Sequence, residues 1–236
     1  MTSRRRISVL TGAGISAESG IKTFRDADGL WEGHDVMEVA SPEGFSKNPA
    51  LVLEFYNERR KQLKTVSPNK SHLDIAAMED QFDVTVITQN VDDLHERAGS
   101  SHIIHLHGEL TKATSSGNPS YVRTWDGAIS LSDKCPNGFQ MRPFIVWFGE
   151  AVPMLERAIK EIAQCDAIVI IGTSMQVYPA ASLTAYASPD TPIYYVDPNP
   201  NINYELSRSS RLKIFKGPAS IETEKAIQSL KNLYDI

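Results

Sequence analysis

The chain has 236 residues, 41% hydrophobic and 22% charged, which suits one compact unit, or a large domain carrying a smaller one, and excludes fibrous or extensively disordered classes. Its 24 basic and 29 acidic residues leave a formal charge of -5, so no nucleic-acid partner is expected. No apolar run reaches the roughly 18 residues of a membrane span, which makes no membrane association expected.

Two cysteines, Cys135 and Cys165, are too few for a disulfide scaffold or a four-thiolate zinc site. Arg4-Arg5-Arg6 is followed by only a short apolar run, Ile7 to Leu10, which argues against an export signal. A reducing cytoplasmic location is expected.

In chain order, residues 7–10 read as a strand that runs into the turn Thr11-Gly12-Ala13-Gly14 and the helix start Ile15-Ser16-Ala17-Glu18. Residues 22–80 are helical without a strong strand, with patterns at 50–64 and 70–80. A strand at 84–88, a helix at 91–98 and a strand at 103–106 follow. Residues 111–142 are polar and loop-rich, with turn signals at Ser115-Ser116-Gly117-Asn118-Pro119 and Cys135-Pro136-Asn137-Gly138. Strands at 144–148, 167–171, 193–196 and 212–215 then alternate with helical patterns at 153–164, 179–187 and 220–233. Such alternation predicts an α/β fold with a doubly wound parallel sheet, and several strands are the continuous apolar runs of a sheet buried on both faces. The two irregular stretches predict a smaller inserted module over 25–80 and 111–142, with the large domain over 1–24, 81–110 and 143–236.

Gly12-x-Gly14-x-x-Ala17 fits the dinucleotide fingerprint, in which the glycines allow a tight turn and a close backbone approach to a diphosphate. A plain strand-to-helix turn is the competing reading. Dehydrogenases place an acidic residue on a second strand about 20 positions later. Here Asp28 lies on no strand, so hydride transfer loses support, and Phe24-Arg25 suits a loop that covers a nucleotide.

The run Gly12-Ala13-Gly14-Ile15-Ser16-Ala17-Glu18-Ser19-Gly20-Ile21, followed by Thr23-Phe24-Arg25 and Gly29-Leu30-Trp31, closely resembles the sirtuin signature. So, in order, do Thr88-Gln89-Asn90-Val91-Asp92-Asp93-Leu94-His95, His107-Gly108-Glu109-Leu110, Val146-Trp147-Phe148-Gly149-Glu150 and Gly172-Thr173-Ser174. The resemblance runs from about residue 7 to Ala219 and looks nearest to the bacterial CobB type. It implies a Rossmann-like domain with a smaller inserted one, and NAD and acyl-lysine proteins meeting as co-substrates in the cleft between them.

By that resemblance His107 is the general base; on the residues alone a histidine is more often a buried, hydrogen-bonded one, the reading kept for His34, His72, His95, His102 and His105. Asn90 and Asp92 join His107 as catalytic residues that hold the nicotinamide ribose and carboxamide, although both types also suit a helix N-cap. Gly12, Ala13, Gly14, Ser16, Ala17, Phe24, Arg25, Trp31 and Gln89 complete the nucleotide site, with Gly172, Thr173, Ser174, Asp197, Asn199 and Ala219 on its phosphate and adenine side. The implied reaction passes the acyl group from lysine to ADP-ribose and releases nicotinamide.

Val146, Phe148, Gly149 and Glu150 are implied to form the edge on which a substrate peptide lies as an added strand, against the plainer reading of a buried strand. Tyr56 and Arg59 share a helix face and match residues that bind the distal carboxylate of succinyl, malonyl or glutaryl groups in related enzymes. The competing reading is a solvated basic helix with Arg60, Lys61 and Lys64. Desuccinylation and demalonylation are expected, with deacetylation beside them.

The chain departs from the family where two Cys-x-x-Cys pairs hold structural zinc. Thr114, Ser115 and Ser116 stand at the first pair and only Cys135 remains near the second, so no metal site is expected and the segment should rest on Tyr121, Trp125, Phe139 and Met141. An ADP-ribosyltransferase or NAD hydrolase is the rival enzyme, and a non-catalytic NAD sensor the rival of another class. A monomer is expected.

Overall fold

The computed structural model describes residues 4–22 and 30–236. The chain opens with β1 (Arg6–Thr11) and α1 (Ala13–Ala17); after a ribbon of β2 (Leu30–Trp31) and β3 (His34–Asp35) come α2 (Val36–Val39), α3 (Pro42–Lys47), α4 (Pro49–Leu63) and α5 (Lys70–Ala77). Then follow β4 (Asp83–Thr88), α6 (Leu94–Ala98), β5 (Ile103–His105), β6 (Gly108–Ser115), β7 (Asn118–Thr124) and β8 (Met141–Ile145). The C-terminal part holds α7 (Leu155–Ala163), β9 (Ala167–Ile171), a 3-10 helix (Ala180–Tyr186), β10 (Ile193–Val196), α8 (Tyr204–Ser207), β11 (Leu212–Phe215) and α9 (Ala219–Leu233).

Helix starts follow their capping chemistry. Ser41 accepts from Gly44 N with Pro42 next in line, Asn48 accepts from Leu51 N ahead of Pro49, and Asn69 opens α5 with a capping box whose return partner is His72.

Six strands form one sheet in the order β11-β10-β9-β1-β4-β5, all neighbours parallel. Alternate residues serve opposite faces: Val169 and Ile171 join a core with α5 and α9, while Ile168 and Ile170 join one with α7, the 3-10 helix and Leu206. This two-sided burial is why the strands read as unbroken apolar runs. From β1 the chain builds outward through β4 and β5, then returns to place β9 on the other side of β1. The direction of winding therefore reverses between β1 and β9, the place where open parallel sheets bind ligands at their carboxyl ends.

The inserted part contains the antiparallel sheet β7-β6-β8. Helix α4 buries residues on two sides, Val52, Phe55, Tyr56 and Leu63 with Leu110 and Trp147, and Leu53 with Ala113, Ile129, Cys135 and Met141.

Several expectations need correction. The hairpin β6–β7 lies in a stretch that reads as loop, because most of β7 is solvated and supplies no apolar alternation. The strand expected at 144–148 is β8 and ends at Ile145. Helix α5, grouped by sequence with the insert, packs on the large sheet: Ile75 lies in the same core as Val84 and Ile227, and Ser71 Oγ is 2.7 Å from Thr223 Oγ1. Phe139 is 47% exposed and lies over Gly117, so it does not anchor the zinc-less segment; Ile129 takes that place in its core. Arg60, which only the competing basic-helix reading placed on a solvated face, is 3% exposed and donates from Nε to Leu110 O.

Candidate active site

The residues singled out by sequence gather at the carboxyl edge of the sheet. Gly12 to Gly14 follow β1, Gln89 to Asp92 follow β4, His107 follows β5, Gly172 to Ser174 follow β9, and Asp197 follows β10. At the winding reversal the loops after β1 and β9 touch through main chain: Gly14 N donates to Gly172 O at 2.8 Å. A Cβ on Gly14 would lie 2.7 Å from Gly172 Cα, and one on Gly172, whose φ is +63, would lie 2.2 Å from Ile15 N. The first duty of these glycines is thus to let two loops meet, which the plain-turn reading did not contain. Ala13 is half-buried and Ala17 exposed on the short helix that follows.

Beside this contact lies a buried polar chain. Asn90 Nδ2 donates to Ser16 Oγ at 3.1 Å, and Ser16 Oγ donates to Asp92 Oδ2 at 3.0 Å. Asp92 Oδ1 accepts from Leu94 N at 3.2 Å, but the N-cap of α6 is Asp93, which makes no side-chain cap bond, so neither Asn90 nor Asp92 fills the competing N-cap role. Burial pushes the Asp92 carboxyl up to about 6, against the pull of its hydrogen bonds. Gln89 Nε2 donates to Thr173 Oγ1 at 3.0 Å and ties the loops after β4 and β9. A carboxamide or ribose placed here meets both donors and acceptors.

His107 Nδ1 lies 3.0 Å from Gln89 O. A carbonyl only accepts, so in the neutral ring Nδ1 carries the hydrogen and Nε2 keeps its lone pair. Burial lowers the His107 pKa, so the ring is neutral near pH 7 and Nε2 is free to take a proton.

After β10, Asp197 Oδ1 accepts from Asn199 N at 2.8 Å, and Asp197 O accepts from Gly217 N at 3.3 Å, bringing Ala219 at the start of α9 to the same edge. Ser174 is held from outside by Asn201, whose Nδ2 donates to Ser174 O. Phe24 and Arg25 lie outside the described residues.

Tyr56 is fully buried, and its hydroxyl accepts from Trp147 Nε1 at 3.1 Å. Arg59 lies over the Phe55 ring at 4.5 Å, and its Nε is buried with no hydrogen-bond partner among the described residues. Trp31, assigned by resemblance to the nucleotide, meets Phe55 and Tyr56 edge-on at 4.8 and 5.9 Å. Sequence reasoning missed Trp147 and Arg142. Arg142 stacks over Trp147 at 4.0 Å, and Glu150 grips Arg142 at 2.7 Å and Trp147 N at 2.8 Å. Glu150 therefore braces the tryptophan that holds Tyr56.

Within the segment expected as a peptide-pairing edge, Val146 and Trp147 continue past β8 and Phe148 and Gly149 form a turn. Val146 N donates to His107 O and Phe148 N to Ala40 O, and Gly149 has φ +90.

The residues at the zinc position do not fit the ion. Ser115 Oγ donates to Cys135 Sγ at 3.2 Å and accepts from Gly117 N and Asn118 N, while Thr114 Oγ1 donates to Pro119 O. Among the described residues no group of three His, Cys, Asp or Glu that could share a metal ion includes Cys135. Nor is any described helix long and apolar enough to cross a membrane.

The fold and its carboxyl edge define a Rossmann-like nucleotide-using protein with a second module against the site. The Sir2 family model matches residues 12–179, and the chain belongs to that family. It is 60% identical over 194 residues to an NAD-dependent protein deacylase of Helicobacter pylori (strain ATCC 700392 / 26695), covering 82% of this chain and 85% of the relative. It is 55% identical over 211 residues to one of Bacteroides thetaiotaomicron, covering 87% and 90%. Among solved structures, a Sir2 homologue in complex with ADP-ribose superposes with a TM-score of 0.86 at 35% identity, covering 99% of this chain and 94% of that one. A Sir2 homologue in complex with NAD does so with a TM-score of 0.85 at 36% identity, covering 98% and 91%.

Proposed function

We propose that the protein removes acyl groups from protein lysines at the expense of NAD, and that succinyl and malonyl groups are among those it takes. Relatives at this level of identity bear the name NAD-dependent protein deacylase, and the site holds the groups such a reaction uses. The observation that carries the reading is the His107 ring, neutral by burial and held by Gln89 O in the tautomer that leaves Nε2 basic.

NAD supplies the glycosidic bond to nicotinamide whose cleavage drives the transfer. The chain does the rest by placement and proton handling. The linked side chains of Asn90, Ser16 and Asp92 orient the nicotinamide end, Gln89 and Thr173 hold the loops on either side of it, and His107 Nε2 accepts the proton of a ribose hydroxyl.

The acidic-acyl reading rests on Arg59. A guanidinium with a buried, unpaired Nε beside a buried phenol is costly until an anion arrives. A carboxylate gives Arg59 a charge-assisted partner, and the Tyr56 hydroxyl, which already accepts from Trp147, keeps its own hydrogen to donate. An acetyl group offers neither contact.

The test is mass spectrometry of peptides carrying acetyl-, malonyl- or succinyl-lysine, incubated with the protein and NAD. The reading expects loss of acyl groups that requires both NAD and His107. Nicotinamide release without acyl-lysine would instead make the protein an NAD hydrolase or ADP-ribosyltransferase.

A further inference from the structure

His105 ends β5 behind the loop that carries Asn90 and Asp92, and the chemistry above makes no use of it. Its two ring nitrogens both face acceptors: Nδ1 is 3.3 Å from Asn90 O, and Nε2 is 2.6 Å from Glu96 Oε1. Neither a carbonyl nor an ionised carboxylate can donate, so these contacts favour hydrogen on both nitrogens and hence the imidazolium. Its side chain is 9% exposed against 41% for Glu96, so the charge sits inside while its partner faces water. Burial alone would drive the proton off, but the bond and charge of Glu96, with Glu109 and the Asn90 carbonyl, outweigh it and hold His105 above its ordinary value.

The charged and titratable neighbours come from three elements. Helix α6 supplies Glu96 and His95, strand β6 supplies Glu109 with Lys112 paired to it at 2.7 Å, and the loop after β4 supplies Asp92. Carboxylate oxygens of Glu96 and Glu109 and a ring nitrogen of His105 all lie within 4.8 Å of one another. Asp92, two residues after the Asn90 whose carbonyl His105 meets, is a buried carboxylate whose rise is opposed in part by the His105 charge.

We propose that the Glu96–His105 pair is a positioning element for the nicotinamide end of the site, anchoring the Asn90 main chain through Nδ1 and setting a positive charge beside the loop that carries Asp92. His105 touches no reacting atom in this scheme. It acts through the loop, and the inference rests on the reading of Asn90 and Asp92 as nicotinamide-ribose contacts.

The experiment compares the wild type with His105→Gln and Glu96→Gln, using Glu96→Asp as the conservative variant. Two quantities are followed: the titration of the Asp92 carboxyl by carbon-13 NMR without NAD, and the pH dependence of KM for NAD beside kcat. The wild-type Asp92 midpoint should lie at about 6 and move upward in both neutral variants. KM for NAD at pH 7 should rise about threefold or more with a smaller change in kcat, and Glu96→Asp should recover part of it. If His105→Gln fails to fold, Glu96→Gln at its more exposed position decides alone.

An unmoved Asp92 midpoint in a folded variant overturns the inference. A midpoint that moves in a protein without NAD-dependent turnover sustains the charge coupling and overturns the functional reading instead. Turnover with an unmoved midpoint sinks only the inference, and an unmoved midpoint without turnover sinks both.

Discussion

At the scale of single residues, the roles proposed for His107 and Arg59 can be separated by substitution. His107→Ala removes the basic nitrogen and leaves the loops in place, since Gln89 is still tied to Thr173. Turnover on every acyl peptide should fall by about 10² to 10⁴, the usual worth of a positioned base, with NAD binding retained by calorimetry. Arg59→Met should act on one substrate class only. A charged hydrogen bond is worth about 1.5–3 kcal/mol, so desuccinylation should lose roughly ten- to a hundredfold in kcat/KM while deacetylation changes little. An equal loss on both peptides would refute the assignment. Tyr56→Phe is the less clean variant, because it also strips the buried Trp147 indole of its acceptor.

At the scale of elements, the contact between the loops after β1 and β9 fixes the two loops that border the proposed nucleotide site. Gly172→Ala meets two obstacles, a φ of +63 and a main-chain nitrogen 2.2 Å from the new carbon, whereas Gly138→Ala, with φ +81 and nothing within 4 Å, meets only the first. The left-handed conformation costs about 1–2 kcal/mol by itself. Thermal unfolding should therefore show a small drop in Tm for Gly138→Ala and a larger one for Gly172→Ala, and only the latter should weaken NAD binding. Equal drops would mean that the loop contact bears no weight. The same contact shows how far the sequence was legible. Strand, glycine turn and helix start could be read from Ile7 to Glu18 because apolar runs and glycines are local signals. That Gly14 would lie against Gly172, 158 positions away, is a property of strand order, which no local pattern carries. The hairpin β6–β7 escaped for the opposite reason: Asn118–Thr124 has no buried residue, so its strand character comes from its ladder with β6 and not from its own alternation.

At the scale of the whole molecule, buried titratable groups couple the site to folding. His72, on α5, is buried and pushed down to about 4, and burial lowers His95 as well. Both rings are neutral when folded, and they lie 4.9 Å apart between the cap of α5 and Thr11 of β1, to which His95 Nε2 is bonded at 3.0 Å. An unfolded chain protonates its histidines near pH 6.5, so each ring's share of stability is intact above that pH and is lost as pH falls toward the folded value. For His72 the loss reaches about 3 kcal/mol when complete. Asp92 works the other way: raised by burial to about 6, it takes up its proton earlier when folded, and so returns stability as pH falls from 6 toward its ordinary value. Three lowered imidazoles, His72, His95 and His107, against a raised Asp92 carboxyl and a raised His105 leave a net loss, and Tm should decline from pH 7 to pH 5. His72→Gln keeps an acceptor for Asn69 N in the capping box and removes one titration, so its decline should be shallower. Asp92→Asn removes one opposing group, so its decline should be steeper than that of the wild type. Parallel Tm profiles for all three proteins would show that acid acts elsewhere, and that the histidine pair beneath the glycine loop is no more than packing.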